Sequence, residues 1–249
     1  MTRNTASRAQ SNVVGVAILL GVVVVALGSL TAGIGTVVEQ NAAAADSSRV
    51  ATDLDDALEP VAATGVHRGR VSFTDGELQT VEREVRVLNE SEVLRTVQAD
   101  ALVFTAGQRR VAFLAGGVVR GPPGNAVVRT PPPITASRDT GGDSDSKGVL
   151  VVGAPRLDGT VGFSATGGGS VVLRTNVSHH RTALGDGTYR VAVETATPGA
   201  WRRHFERQNA TVTTRDFDGD GVTSVVAEYP GERVAYLVVH EMRLEVRHG

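Results

Sequence analysis

Hydrophobic and polar positions divide the chain into three stretches with different periods. A short polar opening, Met1 to Asn12, leads into a run from Val13 to Val38 that holds no charged residue. As a helix this run would extend about 39 Å, and a bilayer core needs roughly 20 apolar residues. The pattern predicts a transmembrane helix. Between Glu39 and Glu59 the spacing becomes amphipathic. Val50, Leu54, Ala57 and Leu58 fall on one face, with Asp53, Asp55, Asp56 and Glu59 beside them. Pro60 is a natural stop. Residues 10–60 are therefore expected to form one helix with an amphipathic extension.

From Val66 onward the period shortens to two. Strands are predicted at Arg70–Phe73, across Leu78, Val81, Val85 and Val87, and at Val97–Thr105, Arg110–Arg120, Gly148–Val152, Ser170–Thr175, Thr188–Val193, Ala210–Thr214, Val222–Tyr229 and Arg233–Val246. Asp75-Gly76 reads as a hairpin turn. Gly107, Gly185-Asp186-Gly187 and Pro230-Gly231-Glu232 mark further turns. One short helix is expected after Pro198, with Trp201 and Phe205 four apart and docked on a sheet. Residues 121–147 carry Pro122-Pro123-Gly124, Pro131-Pro132-Pro133 and a Gly/Asp/Ser run, and are expected to be a flexible loop. The predicted class is α+β: a long N-terminal transmembrane helix, then a mainly antiparallel, sandwich-like β domain over 61–249.

Composition narrows the chemistry. The net charge of −2 gives no reason to expect a nucleic-acid partner. There are no cysteines, so disulfides and thiolate chemistry are excluded. Valine dominates the apolar set and favours strands. Lys147 is the single lysine, and acidic residues are plentiful, a usage like that of salt-loving archaea.

The leader ends Arg8-Ala9 and is followed by Gln10-Ser11-Asn12-Val13-Val14-Gly15-Val16. This resembles the class III signal of archaeal type IV pilins and archaellins. The resemblance implies that residues 1–9 are a leader, cut between Ala9 and Gln10 by a prepilin-type peptidase, with Arg8 the basic residue before the cut. It covers about the first 40 residues. Asn12 stands where many salt-loving relatives have Pro, and Val14 where bacterial pilins carry a Glu. A secretory signal cut near Ala42–Ala45 and an uncut signal anchor are the alternatives. Arg3 and Arg8 before the apolar run, with acidic residues after it, place the C-terminal part outside a cell membrane.

Asp216-Phe217-Asp218-Gly219-Asp220-Gly221 resembles an EF-hand loop in its alternating carboxylates, so Asp216, Asp218 and Asp220 are candidate ligands for a structural Ca²⁺. Ala227 stands at the twelfth position, where that loop needs Glu. An acidic turn between strands is the other reading. Asn89, Asn176 and Asn209 each begin an N-x-Ser/Thr triplet and are candidate glycosylation sites. The six histidines lack zincin spacing, and no nucleophile elbow, P-loop or dinucleotide fingerprint is present. The function expected is non-enzymatic: a pilin-like surface subunit, touching membrane lipid and self-assembling or joining other pilins through its N-terminal helix. The alternative is a stand-alone single-pass protein with an outer binding domain.

Overall fold

The computed structural model describes the backbone of residues 6–58, 63–90, 92–137 and 147–248, and side-chain surroundings in these segments except at 6–15, 31–40 and 248. The chain divides into two compact units, residues 1–42 and 43–249. The division falls inside the first helix, whose last turns belong to the core of the second unit.

Helix α1 runs continuously from Ala6 to Leu58. The expected transmembrane helix is not borne out: among the described residues, no helix is long and apolar enough to cross a membrane. From Asp46 the helix is committed elsewhere, since Val50, Ala51, Leu54, Ala57 and Leu58 are all buried in the second unit.

Among the described residues the structure is mainly β rather than α+β. Sixteen strands are described. They are β1 (Gly65–Phe73), β2 (Gly76–Val81), β3 (Glu84–Asn89), β4 (Glu92–Gln98), β5 (Ala101–Ala106), β6 (Arg109–Leu114), β7 (Gly117–Arg120), β8 (Val127–Thr130), β9 (Ile134–Ala136), β10 (Gly148–Asp158), β11 (Gly162–Ala165), β12 (Gly169–Gly187), β13 (Tyr189–Glu194), β14 (Thr211–Arg215), β15 (Ser224–Glu228) and β16 (Arg233–His248). Helix α2 (Pro198–Arg207) buries Trp201 and Phe205, as their spacing predicts. The span expected to be a loop, 121–147, instead carries β8 and β9; residues 138–146 lie outside the described residues.

The strands form three sheets. Sheet A has the order β1-β12-β16-β10-β9, sheet B β11-β2-β5-β6-β7-β8, and sheet C β14-β15-β13-β3-β4. Pairing is antiparallel except for β10 against β16, which is parallel. Sheet B is buried on both faces. Leu102, Phe104, Val111 and Phe113 face one core, shared with the end of α1, β1 and the C-terminal half of β16. Val103, Ala112 and Leu114 face the other, shared with sheet C and α2. The result is a layered, sandwich-like β unit.

Two glycines show how tightly the layers meet. A Cβ on Gly69 of β1 would lie 2.2 Å from Ala57 Cβ and 2.5 Å from Ala57 Cα, so only glycine lets α1 sit this close. Gly76 has φ of +139° and would meet the Thr105 carbonyl at 2.6 Å. Asp75-Gly76 is not a hairpin. Strand β1 pairs with β12, and β2 with β5 and β11, so the turn carries the chain from sheet A to sheet B. Buried Asp46 of α1 holds that crossing, accepting from Thr74 N–H at 2.8 Å and Asp75 N–H at 3.4 Å. Asp53 accepts from Ser72 N–H at 3.0 Å.

Candidate functional site

The first unit offers one feature with functional content. All residues from Val16 to Leu30 are exposed. Val16, Ile18, Leu19, Leu20, Val22, Val23, Val24, Val25, Leu27 and Leu30 are among them, between 44 % and 69 % accessible. Successive helix positions turn about 100°, so these side chains cover every face of the helix, not a stripe. The hydroxyl of Ser29 donates back to the Val25 carbonyl at 2.8 Å and adds no unmet donor to that surface. A Cβ on Gly21 or Gly28 would meet nothing within 4 Å. The expected cleavage residues Arg8, Ala9 and Gln10 lie within the backbone span of α1, but their side chains are outside the described residues.

The second candidate is the acidic loop, and its carboxylates are already engaged. Asp216 accepts from Gly219 N–H at 2.8 Å and from Gly221 N–H at 3.0 Å. These donors hold its carboxyl below the usual carboxylate range. Asp220 accepts from Val222 N–H at 2.8 Å. Asp218 turns the other way, toward Arg86.

Arg86 is the centre that the sequence did not reveal. It lies on the outer face of sheet C, 4 % exposed. Its guanidinium contacts Glu84 and Asp218, and lies 3.7 Å from Glu194. Arg83 reaches the other oxygen of Glu194 at 3.5 Å. Burial pushes the Glu194 carboxyl up, and Arg83 and Arg86 oppose that rise. Phe217 lies under two cations, 4.8 Å from Arg86 and 4.6 Å from Arg215. It also packs on Leu88, Ala192 and Val226. The loop thus serves as a lid. Its aromatic ring covers an apolar patch, and one carboxylate helps neutralise a buried cation.

Oxygens of Glu84, Glu194 and Asp218 approach within 4.8 Å of one another, but Arg86 supplies the positive charge among them. Of the three expected Ca²⁺ ligands, Asp216 and Asp220 accept from backbone N–H groups within the loop, and Asp218 contacts Arg86.

The glycosylation candidates differ in access. Asn176 is exposed in the middle of β12, opposite Val66 and Arg243. It borders a shallow polar depression on the outer face of sheet A, with Arg156, Asp158, Ser178, Glu241 and Arg243. Cross-strand pairs Arg156–Glu241 and Arg174–Glu245, at 3.4 and 2.8 Å, line that face. Asn89 is half-buried at the end of β3. Asn209 is exposed, at φ of +62°. It closes α2, its N–H donating to the Glu206 carbonyl while the next N–H, of Ala210, reaches Phe205. This is a Schellman ending, which favours glycine or asparagine at that position.

No curated protein and no solved structure matches this chain. The model of DUF7289, a family of unknown function, matches residues 8–245, and so takes in both α1 and the β unit; the chain belongs to that family.

Proposed function

We propose that this protein is a pilin-like surface subunit that assembles through the apolar stretch of α1 and carries its β unit as the outward-facing part of a filament. One observation carries the reading: ten large apolar side chains between Val16 and Leu30 stand uncovered on all sides of a helix whose last turns are built into a folded core. A single partner helix would cover one face and leave the rest in water. Several like helices around each copy would cover it all. Burying such side chains contributes about 1.5 kcal/mol or more apiece. Ten of them, partly exposed as they stand, together reach the range of roughly 4–15 kcal/mol that association costs.

The segment before this stretch supports the same reading. Arg8-Ala9-Gln10 provides a prepilin-type cleavage point, which would leave the apolar helix at the start of the mature chain. The role is structural rather than catalytic, and it places the protein at the cell surface. Exposed Asn176 and Asn209 are the positions where N-glycans would fit with least disturbance.

The test is direct. Filaments are sheared from cells expressing the full chain, and the N-terminus of the protein is read by mass spectrometry. The expected outcome is a chain starting at Gln10 and present in the filament fraction. The double variant Leu19→Arg, Val23→Arg should keep a folded β unit and lose filament incorporation. A start at Met1 or within Ala42–Ala45, or a filament fraction that lacks the chain, would overturn the reading.

A further inference from the structure

Strands β12 and β16 place His179 directly opposite His240 across an antiparallel ladder. The rings meet edge to face at 84°, with centroids 4.8 Å apart. Their Nδ1 atoms are 2.9 Å apart. A neutral imidazole has one ring donor and one ring acceptor, so this contact is an N–H···N bond holding one proton between two rings. The residues are 61 apart in the chain, and only the long register of β12 on β16 brings them together. His240 is buried, which fixes one ring, while His179 is exposed, which gives access from solvent. His180 is the neighbour of His179 on the strand and points to the opposite face.

We propose that His179 and His240 form a cross-strand chelate for a divalent transition ion of tetragonal preference, Cu²⁺ or Ni²⁺. A metal–imidazole bond is about 2.0 Å long. Two nitrogens at adjacent corners of a square around such an ion are therefore about 2.8–2.9 Å apart, and at tetrahedral corners about 3.3 Å. The observed separation, that of an ordinary N–H···N bond, also fits the square without drawing the strands apart. The ion displaces the shared proton, which leaves to solvent, and sits off the line between the two Nδ1 atoms, with small rotations of the rings turning both lone pairs onto it. Water completes the coordination on the exposed side of His179. Imidazole nitrogen suits Cu²⁺ and Ni²⁺, and affinity rises toward Cu²⁺ along the divalent series. Both donors are nitrogen, whereas Ca²⁺ and Mg²⁺ select oxygen. The cation nearest in register, Arg181, is two residues along β12, and its guanidinium is drawn over the Tyr236 ring at 5.2 Å. On the other face of β16, the Glu241 carboxylate pairs with Arg156.

The test uses the full chain, solubilised in detergent and stripped of metal, titrated separately with Cu²⁺, Ni²⁺ and Zn²⁺. The expected result is one tight Cu²⁺ equivalent whose electron paramagnetic resonance spectrum shows coupling to two nitrogens. Ni²⁺ should bind more weakly than Cu²⁺. His179→Ala, a change at an exposed position, should lower Cu²⁺ affinity about ten-fold or more and leave one coupled nitrogen. His180→Ala and His67→Ala should change nothing. Unaltered affinity in His179→Ala, loss of binding in His180→Ala, or Zn²⁺ binding tighter than Cu²⁺ would overturn the assignment.

Discussion

Arg86 shows how much rests on a single side chain in this protein. It is a buried cation held by Glu84, Glu194 and Asp218, with an aromatic ring over it. Replacing it by Met leaves Glu194 buried beside Arg83 alone. Removing one member of a buried pair costs about 3–5 kcal/mol. Here the low end, about 3 kcal/mol, is expected in urea unfolding, because Glu84 and Asp218 retain contact with water. Glu194 also sets a pH dependence. Its folded-state carboxyl holds a proton more strongly than the unfolded one. Stability should therefore decline as pH rises above the ordinary glutamate value of about 4.3. Glu194→Gln should flatten that part of the stability profile, and Arg86→Met should steepen it. Asn209 gives a second residue-scale outcome. Asn209→Gly should keep full stability in the same assay, while Asn209→Val should lose about 1–2 kcal/mol from its left-handed backbone. The acidic motif itself was legible in the sequence. Its role was not, because Arg86 and Glu194 lie far from it in the chain and reach it only through the pairing of β3, β13 and β15.

At the scale of elements, the period of apolar positions identified most strands and α2, and the turn residues misled. Asp75-Gly76 has hairpin chemistry, yet the backbone there uses its glycine to leave one sheet for another. Nothing local separates those two uses, since both require positive φ. The predicted strand Arg110–Arg120 is two strands joined by a two-residue turn, Ala115-Gly116, both at positive φ. Alanine at such a position gives no sequence signal. Strands β8 and β9 were missed because prolines flank them and they are three or four residues long. The docking of α1 on β1 yields the prediction at this scale. Gly69→Ala forces a methyl into the backbone of Ala57. It should cost about 1–3 kcal/mol and raise amide exchange in residues 50–58 selectively, as read by hydrogen–deuterium exchange.

For the whole molecule, the uncharged N-terminal stretch was legible as a helix, but what covers it was not, because an apolar surface does not name its partner. The Leu19→Arg, Val23→Arg pair asks that question at this scale: loss of assembly with an intact β unit locates the contact in α1. The sheet topology has a further consequence, for the order of events during synthesis. Strand β16 is the last element described, and it lies between β12 and β10, holding them in one sheet. Before Arg233–His248 leave the ribosome, one half of that sheet has no way to recognise the other, and two long ribbon edges stand open. Completion must wait for β16, a long-range closure of the kind that slows folding.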